Sequence, residues 1–330
     1  MPAAASRHVT RVVGWLERRQ VAVYLGAILL AGLGGVLVPG AERLDVAINP
    51  VLGLLLFATF LGVPFAALGR ALRDVRFVTA LLVLNFLVVP VVVGVLTRFV
   101  AGDRAVLVGV LLVLLTPCID YVIVFSGLAG AASERLLAAA PLLMLAQLAL
   151  LPLYLWLFVG REVADVVEAG PFVHALLVLV VLPLAAAALV QRAARRLRAA
   201  RFVMDVAVAA MVPLMAATLV VVVASQVPGI ASGRLATLLG VVPLYVAFLA
   251  VMAPLGAVAA RVARLDPPAG RALVFSGATR NSLVVLPLAL SLPDAYALAA
   301  LVVVTQTLVE LVGMVVYVRV VPRLVPTSVT

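Results

Sequence analysis

Apolar stretches of about twenty residues recur along the whole chain, separated by short polar connections rich in arginine. A stretch of that length crosses a hydrocarbon core about 30 Å thick when it is coiled as a helix rising 1.5 Å per residue. Ten such windows can be drawn, with edges good to a few residues: 21 to 39, 46 to 68, 77 to 97, 105 to 128, 136 to 160, 171 to 191, 202 to 226, 235 to 260, 271 to 293 and 296 to 318. The pattern predicts an all-α polytopic membrane protein with ten transmembrane helices, forming one integral membrane domain over residues 1–330.

Composition makes the solvent argument decisive. The chain is 66% hydrophobic and 12% charged, whereas soluble domains are about half apolar and about a quarter charged. Water-soluble folding is excluded, and lipid becomes the expected surroundings.

The net charge of +10 would ordinarily raise the question of nucleic acid, but all 24 basic residues are arginine and most lie between apolar stretches. Eighteen fall on one side of the predicted topology: the N-terminal tail, residues 70–76, Arg135, the run from Arg192 to Arg201, residues 261–271, and Arg319 with Arg323. Five, Arg43, Arg98, Arg104, Arg161 and Arg234, fall on the other, and Arg280 is left inside a span. The positive-inside rule then places both termini in the cytoplasm of a multi-pass cell-membrane protein. The early arginines Arg7, Arg11, Arg18 and Arg19 read as a retained cytoplasmic tail, since no small-residue cleavage site follows the first apolar run. One cysteine and two histidines support neither an intramolecular disulfide nor a typical zinc site. No nucleic-acid partner, resident metal or cofactor is expected, and the oligomeric state is open.

The chain looks internally repeated. Pro50, Pro90 and Cys118 recur as Pro213, Pro254 and Asn281 at offsets of 163, 164 and 163 residues, which maps spans 2, 3 and 4 onto spans 7, 8 and 9. Five spans per repeat, over about 21–160 and 171–318, require the second to enter the membrane inverted. Secondary transporters use such inverted repeats and bind their substrates near the midplane, on interrupted helices.

Two spans carry the polar residues that such a site needs. Span 4 reads LLTPCIDYVIVFSGLAG, with Thr116, Pro117, Cys118 and Asp120 near its middle. Proline removes a helical hydrogen bond there and clashes with the preceding turn. Span 9 reads FSGATRNSLVVLPLALSL, with expected interruptions at Gly277, at the polar run holding Arg280 and Asn281, and at Pro287. Span 10 adds Thr305, Gln306 and Glu310, the last two on one helix face at a spacing of four. A guanidinium about nine residues, or roughly 14 Å, into span 9 must be compensated by charge or reached by water. Asp120, Glu310 or an anionic substrate are the candidates. A structural ion pair is the competing reading for these three charges, and simple packing competes for Cys118. Asn49, Asn85 and Gln147 read as helix-packing hydrogen bonders, His174 and Asp205 as interfacial, and the Arg192 to Arg201 run as a topogenic loop with possible anionic-lipid contact.

Cys118-Ile119 with Val122 to Phe125, the stretch Gly277 to Asn281, and Leu308-Val309-Glu310 together resemble the bile acid:sodium symporter superfamily, and within it the arsenical-resistance permeases. Ile48 to Phe65 and Leu81 to Pro90 add weaker matches. The resemblance implies ten helices in two inverted five-helix repeats, a core domain with broken, crossed helices 4 and 9, and a panel domain. It also implies that Cys118, matching the span 4 cysteine of those permeases, is a ligand for trivalent arsenic, for which a soft thiolate is suited. The chain departs from the arsenical pattern twice. Pro117 stands where that pattern has an arginine, and the span 9 acidic residue aligns near Leu283. Arg280 would then supply the positive charge from the opposite helix, and Asp120 or Glu310 the carboxylate.

The expected activity is therefore secondary transport of a small inorganic or organic anion, driven by a proton or sodium gradient. The leading form is export of arsenite or a related oxyanion species in exchange for protons, and sodium-coupled uptake of an organic anion is the alternative. An intramembrane enzyme is less favoured, because the chain has no paired-aspartate motif, HExxH or serine elbow. The expected substrate or coupling residues are Thr116, Cys118, Asp120, Arg280, Asn281, Gln306 and Glu310.

Overall fold

The computed structural model describes residues 19, 22–24, 26–62, 73–118, 121–160, 176–229 and 235–326. Asp120, His174 and most of the N-terminal tail lie outside them, as do the side chains of Asn49 and Leu283.

After a helix at residues 26–37, the chain runs through α1 (Asp45–Gly62), α2 (Val75–Val83), α3 (Val89–Leu96), α4 (Arg104–Leu114), α5 (Tyr121–Leu128), α6 (Ser133–Val159) and α7 (Leu182–Ala194). It continues through α8 (Arg198–Ala209), α9 (Met211–Gly229), α10 (Leu235–Val262), α11 (Pro267–Ala278), α12 (Ser282–Leu290) and α13 (Leu298–Leu324). The described residues contain helices, turns and one isolated β-bridge, with no named strand. Among the described residues, helix lies beneath each of the ten apolar windows. Four helical stretches are long and apolar enough to cross a bilayer unaided: Val75–Phe99, Ser133–Val159, Ala236–Val262 and Leu298–Leu324. Helices α8 and α9 make a fifth if their 52° bend is one span. The windows for spans 4 and 9 are each divided into two half-helices, α4 with α5 and α11 with α12.

The chain forms two compact units, and each draws on both halves of the sequence. The first comprises Met1–Gly62 and Leu176–Leu235. In it α1 packs on α7 and α9, and Gln191 Nε2 donates to the Phe60 and Leu61 carbonyls at 3.1 and 3.0 Å, which the end of α1 would otherwise leave unpaired. The Arg192 to Arg201 segment, expected as a loop, is instead mostly helix ends: a short turn at residues 195–197 joins α7 to α8, and Arg201 Nε donates to Ala194 O at 2.8 Å.

The second unit comprises Val63–Ala175 and Ala236–Thr330 and holds both divided spans. A π-turn at Leu84–Val88 joins α2 to α3 immediately before Pro90. Proline cannot donate to the carbonyl four residues back, which is that of Phe86. Tyr154 Oη takes this acceptor at 2.5 Å. At one end of the unit, Arg135 pairs with Asp74 at 3.2 Å and with Asp266 at 2.8 Å. Arg271 donates to the carbonyls of Val325 and Ala129 at 2.9 and 3.2 Å. These contacts gather three connections and the C-terminal segment, all assigned by the arginine count to one side, at one end.

Candidate functional site

Helix α4 begins on Asp103, whose carboxylate accepts the N–H groups of Ala105 and Val106 at 3.0 and 3.1 Å. It stops at Leu114, three residues before Pro117, which has no N–H to give. The hydroxyl of Thr116 folds back onto the carbonyls of Leu112 and Val113, both at 3.0 Å. Helix α11 stops at Ala278 without any proline in the break, and Thr279 turns to extended backbone at φ −86°, ψ 137°. Its hydroxyl donates to Phe275 O at 2.9 Å, while Asn281 Oδ1 accepts Val284 N–H at 3.3 Å and so caps α12. Pro287, expected to interrupt span 9, lies inside α12 without breaking it, and Gly277 lies in the last turn of α11.

The two breaks lie against each other. Pro117 and Arg280 face across an antiparallel bridge, closed by Cys118 N–H to Thr279 O at 3.1 Å and Asn281 N–H to Thr116 O at 2.8 Å. Pro117 thus faces the residue 163 positions further on, while the antiparallel run pairs Thr116 with Asn281 and Cys118 with Thr279. Unwound backbone in a membrane needs polar partners, and here the two unwound segments serve each other.

Arg280 is fully buried, at 0% exposure. Its Nη1 donates to Leu114 O at 3.3 Å, and its Nη2 donates to Ser276 O at 2.6 Å, Gly277 O at 2.8 Å and Asn85 Oδ1 at 2.9 Å. Three of these acceptors are the last carbonyls of α4 and α11. A helix C-terminus carries roughly half a negative elementary charge, so the two ends together offset about one guanidinium. The ring of Phe248 lies below the cation with its centroid 5.5 Å away. Glu310, also 0% exposed, accepts the main-chain N–H of Arg280 at 2.9 Å and the side-chain amide of Gln306.

Of the residues expected at the site, Thr116, Cys118, Arg280, Asn281, Gln306 and Glu310 are gathered here, all buried. Asp120 is outside the described residues. Asn85, expected as a helix-packing hydrogen bonder, does bond between helices, its Nδ2 donating to Leu81 O and Ser276 Oγ, both at 3.0 Å, and its Oδ1 also joins the Arg280 shell. Its polar character in an apolar span was the available signal. Ser276 and Phe248 gave none. Among the described residues, Asn281 Nδ2, Gln306 Oε1 and both amide atoms of Gln147 are buried without a hydrogen-bond partner. Buried amides are normally satisfied, and each exception calls for an explanation.

Among curated proteins, none matches the chain. A family model described as the sodium bile acid symporter family matches residues 49–233, more than half of the chain, from α1 to the end of α9 and including Asn85 and the Thr116-Pro117-Cys118 break. Apolar helices of spanning length, paired breaks and this match agree: the protein is a multi-pass membrane transporter that belongs to the sodium bile acid symporter family.

Proposed function

We propose that the protein is an arsenical-resistance type permease, a secondary active transporter that exports arsenite or a related small oxyanion species in exchange for protons. The observation that carries the reading is the paired break: a thiol, Cys118, and a buried amide donor without a partner, Asn281 Nδ2, stand on the two strands of one bridge. A soft trivalent metalloid would engage the thiolate, and its oxygens the amide. Gln306 Oε1 supplies an acceptor for a substrate hydroxyl. Glu310, held by Gln306, is the carboxylate proposed to take and release the coupling proton.

The topology proposed with this function has ten helices in two inverted repeats, with both termini cytoplasmic. Support comes from the bridge between the two breaks, where Pro117 faces Arg280, the residue 163 positions further on, and from the arginine-rich connections meeting at one end of the second unit.

The family match favours one other reading, sodium-coupled uptake of an organic anion. Flux into everted vesicles separates the two, using arsenite and candidate organic anions with and without imposed proton or sodium gradients. Arsenite accumulation that needs a proton gradient and disappears in Cys118→Ser, with membrane insertion unchanged, is the expected result. Full arsenite flux in the serine variant would remove the thiol from the mechanism. Flux of an organic anion that follows sodium would favour the alternative.

A further inference from the structure

The partners of Arg280 are those that a metal cation would choose. Leu114 O, Ser276 O, Gly277 O and Asn85 Oδ1 converge on its guanidinium within 2.6 to 3.3 Å, and the Glu310 carboxylate accepts its main-chain N–H. In secondary transporters, unwound carbonyls and half-helix C-termini are the groups that coordinate sodium. Hard cations in general select oxygen ligands from carbonyls, amides and carboxylates. Here that oxygen set, built from the ends of two half-helices of 11 and 12 residues, is occupied by a side chain.

We infer that Arg280 is a tethered cation: its guanidinium fills a sodium-type site between the ends of α4 and α11, so the protein assembles its transport site without binding sodium there. The inference rests on reading the paired breaks as the transport site. It deepens the proposed function by removing this site from the possible couplings to a sodium gradient. Three observations favour this role over presentation of Arg280 to a substrate. The guanidinium is turned onto helix ends and Asn85, it has no exposure, and its charge matches the dipole ends it touches. A covalently attached cation also holds its site at every sodium concentration, because its local concentration is fixed by the chain. An arginine cannot lose its charge by deprotonation in this setting.

Removing the tether should convert the site into one for a free ion. The test is thermal unfolding of purified, detergent-solubilised wild type, Arg280→Lys and Arg280→Ala, each in sodium chloride and in choline chloride at equal ionic strength. The melting temperatures of wild type and Arg280→Lys should be the same in the two salts. Arg280→Ala should melt below wild type in choline and recover by several degrees in sodium, with the rise following the logarithm of sodium concentration as mass-action binding requires. Sodium-specific stabilisation of the wild type would overturn the inference, as would a folded Arg280→Ala protein indifferent to sodium. If Arg280→Ala cannot be isolated in choline, recovery of folded protein when sodium is present throughout supports the inference, and failure under both conditions overturns it. The melt is independent of the transported species. A wrong assignment of arsenite therefore leaves this result standing, and a sodium-responsive wild type leaves the arsenite assay unaffected.

Discussion

At the first break, α4 stops because Pro117 has no N–H, and the Thr116 hydroxyl covers two of the carbonyls left over. At the second there is no proline. Helix α11 stops where Thr279 extends, its hydroxyl covers one carbonyl, and the guanidinium of Arg280 covers two more. The bridge makes the strands geometric equals, yet one lacks even a main-chain donor at its centre and the other carries the positive charge for both. Backbone symmetry at such a crossing therefore does not require chemical symmetry. A single cation long enough to reach both helix ends serves the pair, and this frees the facing position to be a proline. The same asymmetry leaves the thiol on one strand and the unpartnered amide on the other, which suits a substrate held between unlike groups.

The largest expected effect comes from deleting the shared charge. In sodium-free buffer Arg280→Ala leaves the helix-end carbonyls and Asn85 without their cation, and should lower stability by about 3 to 5 kcal/mol, read as the loss of melting temperature. Next is a transfer of the charge to the other strand. Adding Pro117→Arg to Arg280→Ala should recover a measurable part of that loss, because position 117 faces position 280 across the bridge. A double variant that melts no higher than Arg280→Ala would show that the two strands are not interchangeable carriers. Smaller again is the hydroxyl comparison. Thr116→Val loses two hydroxyl bonds and strands the Leu112 carbonyl, whereas Thr279→Val loses one and leaves Phe275 O with the main-chain N–H of residue 279, so the former should cost more, with each lost bond worth about 1 kcal/mol. Equal losses would argue against the unequal sharing described above. The smallest effect lies outside the crossing. Arg135→Ala breaks pairs with Asp74 and Asp266 that are 39 to 48% exposed, and should cost under about 1 kcal/mol in a melt at moderate salt.

How much of this was legible in the sequence depended on whether the cause was local. Pro117 announces its own break, because the missing N–H and the ring clash act within one turn. The arginine count put the connections holding Asp74, Arg135 and Asp266 on one side, and these three do meet. The second break was located only to a polar run, and Pro287 pointed to the wrong place. A proline removes one hydrogen bond, and α12 continues through that loss. The shell around Arg280 was least legible. Asn85 and Arg280 are 195 residues apart, and main-chain carbonyls such as those of Leu114 and Gly277 have no signature in residue type. The sequence signalled that Arg280 must be compensated, and proposed carboxylates or a substrate. Helix ends supply most of what was needed, because a C-terminal dipole is a property of the fold.

The two hydrogen bonds that close the bridge also provide a clock. The amide protons of Cys118 and Asn281 are donated across the crossing, so neither can exchange with deuterated water until the strands part, and both must then exchange together. At a pH high enough for exchange to outpace reclosing, their common rate is the rate at which the crossing opens. If a full turnover is faster than that exchange, α4, α5, α11 and α12 pass through the whole cycle as one rigid cross. Access to the substrate must then change around this cross, not within it.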